Sequence, residues 1–331
     1  APLRMTNKNS HCHSEHSHCH SERIEESHYY FSKYLQNKAY KTLLENAEQI
    51  IINNIAFFPK PLQITEQIVQ QKKENQKVIF VVNDYFSVCP SFFLLNYAGK
   101  YCSIPEIELC RKCLKQNNLD YIVNIERDIE NWRNTWQNFL MNCDEIRVFS
   151  ESSVELMKKA YPNIALRITR VKPEYSKLFS KDNKEIKNNY TYNKDKLKTI
   201  AIAGTLNYPK GSSIVKELAK KIEKSYSDKL RIVVIGEMLV DFYMSKSLIV
   251  TGRYRREDLA NITKQYNVNS FLFPSICPET YSIVCDEIME MGYPLAVFNF
   301  GAQKEKAAKY EKGIVLKEIE IEYIISRLLK L

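Results

Sequence analysis

From Tyr29 onward the chain alternates short apolar runs with segments whose apolar residues recur at helical spacing. A short apolar run suits a strand buried on both faces, and a period of three to four residues suits a helix with one face turned inward. Strands and helices that alternate in this way imply parallel sheets, because two parallel strands need a crossover and a helix is the usual one. A chain of 331 residues with 44% hydrophobic residues has material for two compact domains.

The strands are expected at Gln49 to Ile55, Val78 to Val82, Glu145 to Phe149 and Ala165 to Val171, then at Thr199 to Ala203, Ile232 to Ile235, Leu248 to Thr251, Phe271 to Phe273 and Leu295 to Phe298. Helices are expected from Pro61 to Glu74, along the face marked by Ile129, Trp132, Trp136, Phe139, Leu140 and Cys143, and after a cap at Ser150 or Ser152. Others start at Gly211 and Arg256, run from Tyr281 to Met291, and lie near Ala302 and Glu320. Residues 173–196 are polar, rich in Lys and Asn and without apolar periodicity, which places a linker between a first domain at 29–172 and a second at 197–331. Residues 1–28 hold all six histidines and a near-tandem repeat, Ser10-His11-Cys12-His13-Ser14-Glu15 and Ser17-His18-Cys19-His20-Ser21-Glu22. With almost no apolar content they read as a disordered His/Cys-rich tail, whose ligands sit too close together for a zinc finger.

Composition narrows the partners. A net charge of +9 suits phosphate-bearing ligands or an anionic membrane surface. Basic residues are scattered and no nucleic-acid module is recognisable, so nucleic acid is not an expected partner. No apolar stretch approaches the roughly 18 residues of a membrane span and no signal peptide is evident, which gives a cytoplasmic protein with peripheral membrane contact as an option. Nine cysteines are expected to be reduced thiols.

The sharpest motif is Pro274-Ser275-Ile276-Cys277-Pro278-Glu279-Thr280-Tyr281-Ser282, with Glu287 on the helix that follows. Glu279 falls where a strand's carboxyl end turns into a helix, the place where open α/β sheets bind ligands, and two carboxylates so spaced can accept hydrogen bonds from two sets of sugar hydroxyls. A second loop, Ala203-Gly204-Thr205-Leu206-Asn207-Tyr208-Pro209-Lys210-Gly211, follows the second domain's first strand, and there Lys210 and the amides after Gly211 can cradle a diphosphate. These residues resemble retaining GT-B glycosyltransferases of family 4, the glycosyl transferases group 1, over about Gln49 to Leu316.

The resemblance implies two Rossmann-like βαβ domains with parallel sheets, the N-terminal one truncated relative to the family. It implies transfer of a sugar from a nucleoside-diphosphate donor to a glycan or lipid-linked acceptor hydroxyl, with retention and without a divalent metal or other cofactor. Glu279 would contact the donor sugar and Glu287 the ribose, with Thr280, Tyr281 and Ser282 alongside. Thr205 stands where the family has an arginine, so one cation of the diphosphate clamp is replaced, with Arg253 as a substitute. Tyr254 would lie beside the base. Asn83-Asp84 resembles the family's histidine-aspartate pair facing the donor, and asparagine cannot take up a proton as that histidine can. The departures keep two alternatives open: a non-catalytic nucleotide-sugar-binding remnant and a sugar-nucleotide epimerase of the same fold.

Cys89, Cys102, Cys110 and Cys113 fall in what reads as one loop, the last two as CxxC. Four thiolates can hold a structural zinc ion; irregular spacing makes simple packing the alternative. No GxGxxG follows a strand and no GxxxxGK[ST] occurs, which argues against a dehydrogenase and a P-loop kinase.

Overall fold

The computed structural model describes residues 46–56, 58, 60–117, 127–173, 197–242 and 244–331. The expected His/Cys-rich tail and all of the expected linker except Pro173 lie outside these residues. The first sheet is wholly parallel and runs in chain order: β1 (Gln49–Ile52), β2 (Lys77–Val81), β3 (Glu145–Val148) and β4 (Ile168–Arg170). Its helices are α1 (Pro61–Gln71), α2 (Ile107–Gln116), α3 (Ile129–Asn142) and α4 (Glu151–Ala160). Pro61 opens α1, where its missing N–H costs nothing. Ser150 caps α4, its Oγ accepting from Ser153 N at 3.2 Å.

The core of this domain is aromatic. Trp132 and Trp136 project from α3, one turn apart and fully buried, onto Phe86, with ring centroids 4.8 and 6.3 Å away. Phe80 of β2 meets Trp136 at 5.5 Å and Phe139 at 5.8 Å. Each such pair contributes about 0.5–1.5 kcal/mol beyond the area it buries.

The second sheet is also parallel, in the order β10-β9-β8-β5-β6-β7. Its strands are β5 (Lys198–Ala203), β6 (Leu230–Ile235), β7 (Leu248–Val250), β8 (Ser270–Phe273), β9 (Leu295–Phe298) and β10 (Gly313–Leu316), covered by α5 (Ser212–Ser225), α6 (Leu259–Gln265), α7 (Ile283–Glu290), α8 (Gly301–Lys309) and α9 (Ile321–Leu328). Separate apolar clusters fill its two faces. Chain order reverses between β5 and β8, which pair side by side, and a crevice opens at such a switch point beyond the strands' carboxyl ends.

The expected parallel α/β architecture is present, with local corrections. Residues 162–167 form a 3-10 helix instead of the start of a strand: Pro162 opens it and Ile164 is fully buried, which leaves only Ile168–Arg170 to pair with β3. Cys110 and Cys113 lie on α2 and not in a loop. The helix expected from Tyr281 begins at Ile283, because Ser282 has φ 62° and breaks the helical path. A short 3-10 turn at Arg256–Asp258 precedes α6.

Side chains bridge the two domains. The Glu305 carboxylate on α8 accepts from the N–H groups of Glu151 and Ser152, at 3.1 and 2.5 Å, at the amino end of α4. The Tyr208 hydroxyl donates to Gly99 O at 3.3 Å, and Tyr101 packs edge-on to Phe300 at 5.3 Å.

Candidate functional site

The loops after β5 and β8 meet at the switch point because glycine lets them. Gly211 caps α5 with φ 86°, and a Cβ there would stand 2.0 Å from the Pro274 carbonyl oxygen. Ile276 N donates to Pro209 O at 3.0 Å and closes the junction. Gly236, at the end of β6, brings a third loop in: a Cβ there would stand 2.0 Å from Gly204 O.

These loops enclose a cavity of about 330 Å³ lined by Gly204, Thr205, Lys210, Glu279, Thr280, Tyr281 and Ser282 from the second domain and Asn83 from the first. Thr280 Oγ1 donates to Asn83 O at 3.0 Å across the cleft, and Asn83 Nδ2 donates to Asn53 O at 2.9 Å. An adjoining space of about 290 Å³ shares Gly204 and Thr205 and adds Gly236, Glu237, Arg253 and Tyr254. A larger cavity of about 620 Å³ is lined by Phe149, Arg170, Asp286 and Lys306; it shares only Tyr281 with the first and touches none of the switch-point glycines. The smaller pair of cavities is therefore the candidate site.

At its centre the Lys210 ammonium and the Glu279 carboxylate form an ion pair, and Ser275 Oγ donates to the same carboxylate at 2.9 Å. Burial opposes the charge on Lys210, but the charge of Glu279 and its hydrogen bond outweigh that cost and hold the lysine pKa above its ordinary value. Lys210 is thus a fixed cation at the pocket. The backbone of Glu279 is fastened by Gln303 on α8: Glu279 N donates to Gln303 Oε1 at 3.0 Å and Gln303 Nε2 donates to Cys277 O at 2.8 Å. Ala302 N donates to Glu279 O at 2.9 Å. A Cβ on Gly301 would stand 2.5 Å from Glu279 N, so α8 begins where only glycine fits.

Of the remaining expected residues, Tyr281 lines the first cavity, Arg253 and Tyr254 line the adjoining one, and Asp84 and Glu287 line neither. Glu287 is 8% exposed, does not line either cavity, and pairs with the Arg256 guanidinium. Burial raises its pKa and Arg256 opposes the rise. Tyr254 lies near enough that burial first, then the charge of Glu287, pushes its hydroxyl up to about 12. Arg253 is exposed and donates to Glu237 Oε2 at 2.9 Å. Asp84 sits behind Asn83, accepting from Phe86 N at 2.9 Å and Asn54 Nδ2 at 2.5 Å; burial raises its pKa to about 6 although the Phe86 N–H works against it. The Tyr281 ring stacks under the Lys306 ammonium, 3.4 Å from its centroid. The amides expected to be free after Gly211 are partly engaged: Gly211 N donates to Tyr208 O at 2.9 Å and Ser212 N to Asn207 O at 3.1 Å, so Gly211 contributes close approach and not an open donor.

Sequence reading missed Gln303, Gly236 and Arg256 as site residues, and it named Ser275 within the motif without a role. The signal for Gln303 is an amide in the first turn of a helix that opens with glycine; for Arg256 there is none short of the fold, since Glu287 is 31 residues away.

Residues 182–331 match the model of the family described as Glycosyl transferases group 1. No curated protein matches the chain in sequence. Among solved structures, sucrose-phosphate synthase from Thermosynechococcus elongatus is 14% identical with a TM-score of 0.53, over 93% of this chain and 69% of that one. Trehalose-6-phosphate synthase OtsA is 10% identical with a TM-score of 0.55, over 91% and 70%. Anabaena HepE, solved in complex with UDP, is 13% identical with a TM-score of 0.54, over 88% and 70%. At these identities the likeness shows the fold, the two-domain GT-B arrangement of parallel α/β units.

Proposed function

We propose that this chain transfers a sugar from a nucleoside-diphosphate donor to an acceptor hydroxyl, with retention at the anomeric carbon, in the synthesis of a surface polysaccharide or other glycan. The observation that carries this is the half-buried Lys210–Glu279 pair at the switch point, in a cavity that the first domain closes with Asn83. The match of residues 182–331 to glycosyl transferases group 1 supports it, as does HepE, whose structures hold UDP and UDP with glucose.

Breaking a glycosyl–phosphate bond sends negative charge onto the departing diphosphate. Lys210 faces that charge from a partly enclosed pocket, where its pairing with Glu279 holds the cation in place ahead of reaction. Glu279 keeps Lys210 charged and offers its remaining lone pairs to the hydroxyls of the donor sugar. Gly204 and Gly236, lacking side chains, let the diphosphate and nucleoside approach the backbone, with Tyr254 and Glu287 on the nucleoside side. Asn83, on the opposite wall, hydrogen-bonds and takes no part in proton transfer.

Calorimetric titration with nucleoside diphosphates and their sugars tests the donor site: wild-type binding that Lys210→Ala and Glu279→Gln both weaken supports it, and a folded chain that binds none of them refutes it. Proton NMR of a transfer product reads retention directly. A second reading, a nucleotide-sugar-binding protein without transfer, is favoured by Thr205, since Lys210 is the only cation among the described residues lining the central cavity. Donor binding with neither transfer nor donor hydrolysis would establish it.

A further inference from the structure

The first turn of α4 presents N–H groups that have no acceptor inside the helix. Ser150 Oγ takes the one on Ser153, at 3.2 Å. Those on Glu151 and Ser152 go to the other domain. Glu305 Oε2 accepts from Glu151 N at 3.1 Å and Oε1 from Ser152 N at 2.5 Å, and the Ser152 hydroxyl donates to Oε1 as well. A carboxylate in this position also meets the positive end of the helix dipole. Glu305 is half-buried and borders the cavity of about 620 Å³, so water can take over its hydrogen bonds and the contact can open without stranding a charge.

The helix that carries Glu305 also holds the loop of the candidate site. Ala302 N donates to Glu279 O, and the Gln303 amide accepts from Glu279 N. Lys306 Nζ donates to Ser282 O at 3.0 Å and to Asp286 Oδ1 at 2.6 Å, and it covers the Tyr281 ring. Residues 279–282 are thus fastened to α8 at both ends, and between them Thr280 reaches across to Asn83 O. A short helix bonded along its length moves as one body, so what fixes α8 against the first domain also fixes Glu279 against Asn83. Phe300, at the amino end of α8, adds its packing on Tyr101.

We propose that Glu305 is a positioning residue: seated on the amino end of α4, it latches the two domains together and so sets the Glu279 loop against the first domain's wall of the cleft. The effect on turnover rests on the sugar-transfer reading above, whereas the latch does not. With Glu305 undocked, a nucleoside diphosphate still finds Lys210 and the glycine loops, which belong to the second domain alone. Asn83 and the rest of the opposite wall then face the donor for a smaller share of the time, so turnover falls while diphosphate affinity stays.

The test uses the full chain with substitutions on both sides of the contact. Glu305→Gln keeps the shape, removes the charge and turns an NH2 group toward donors. Glu151→Pro deletes one donating N–H at the first position of α4, where proline is tolerated, and Ser150, at φ −143° and ψ 158°, already has the extended backbone that a following proline requires. Glu151→Ala is its control, losing the exposed pair with Arg170 and keeping the N–H. Small-angle X-ray scattering reads domain separation, calorimetry reads the affinity for UDP, GDP and ADP, and release of diphosphate from the glucose conjugate of each, with water as acceptor, reads kcat. The expected result is a larger radius of gyration and a kcat lower by about tenfold in Glu305→Gln and Glu151→Pro, with native circular dichroism and unchanged diphosphate affinity. A native scattering profile for Glu305→Gln, or equal effects of Glu151→Pro and Glu151→Ala, overturns the latch. An expanded profile with native kcat, or with diphosphate affinity lost in step with kcat, overturns the positioning role. A native chain that binds none of the three diphosphates counts against the proposed function instead, and the scattering comparison still decides the latch.

Discussion

Gln303 holds Glu279 by its backbone and not by its carboxylate: the fully buried amide accepts from Glu279 N at 3.0 Å and donates to Cys277 O at 2.8 Å. Both ends of one planar group therefore set the loop that aims Glu279 at Lys210. Gln303→Leu leaves the Glu279 N–H unpaired and Cys277 O with only the longer 3.4 Å bond from Ser275 Oγ, a loss of about 1–3 kcal/mol if the N–H finds no water. The expected outcome is a lower melting temperature and, on the proposed function, a kcat reduced by up to about 100-fold through misplacement of Glu279. A variant with unchanged kcat would make the clamp purely structural.

Lys210→Ala removes the cation that Glu279 faces in the pocket. A hydrogen bond to a charged group contributes about 1.5–3 kcal/mol, so affinity for a nucleoside diphosphate is expected to fall about 10- to 100-fold, with a smaller loss for the matching nucleoside. Calorimetry with the two ligands side by side checks it. Equal losses for both would move Lys210 away from the diphosphate.

Gly211→Ala is expected to disrupt the site from a position that bears no functional group. Alanine at φ 86° costs about 1–2 kcal/mol, and its Cβ would meet the Pro274 carbonyl oxygen at 2.0 Å, so the two loops must part. Thermal denaturation should show a drop of several degrees, and donor binding should be lost at temperatures where circular dichroism still shows a folded chain.

Asp84 makes stability depend on pH in an uncommon direction. Its pKa is raised from 3.8 to about 6 by burial, so between those values the folded chain holds a proton that the unfolded chain has released. Stability from this group is full below about pH 4 and declines as pH rises through 6. Allowing for solvent screening at a half-buried carboxyl, the change is about 1–2 kcal/mol. Asp84→Asn, which keeps an acceptor for Phe86 N, should flatten the pH profile of urea midpoints between 4 and 6 and raise the midpoint at pH 7. An unaltered slope would count against the shifted carboxyl.

Arg256→Ala strands the Glu287 carboxylate at 8% exposure. With the arginine itself partly exposed, the cost is expected at about 1–3 kcal/mol, below that of a fully enclosed pair. Adding Glu287→Gln should restore much of it, and a double-mutant cycle on melting temperature measures the coupling.

Much of this protein was legible in its sequence where the governing interaction is local. The apolar run Leu295 to Phe298 is a strand over that very span, Ser150 caps its helix, and Gly204, Thr205, Lys210 and Glu279 do meet at one cavity. Strand and helix periodicity arise between residues two to four apart, and loops at the carboxyl ends of parallel strands can only face one side of the sheet. Tertiary structure alone decided the partners: β5 lies beside β8, 70 positions along at Ile200 and Ser270, and from that pairing follow the Lys210–Glu279 contact and the Gln303 clamp. It also turned residues 162–167 into a 3-10 helix around buried Ile164, and gathered four unevenly spaced cysteines at one cavity. Such choices rest on which apolar surfaces pack together across the whole chain, and no short window of sequence contains both halves of those contacts.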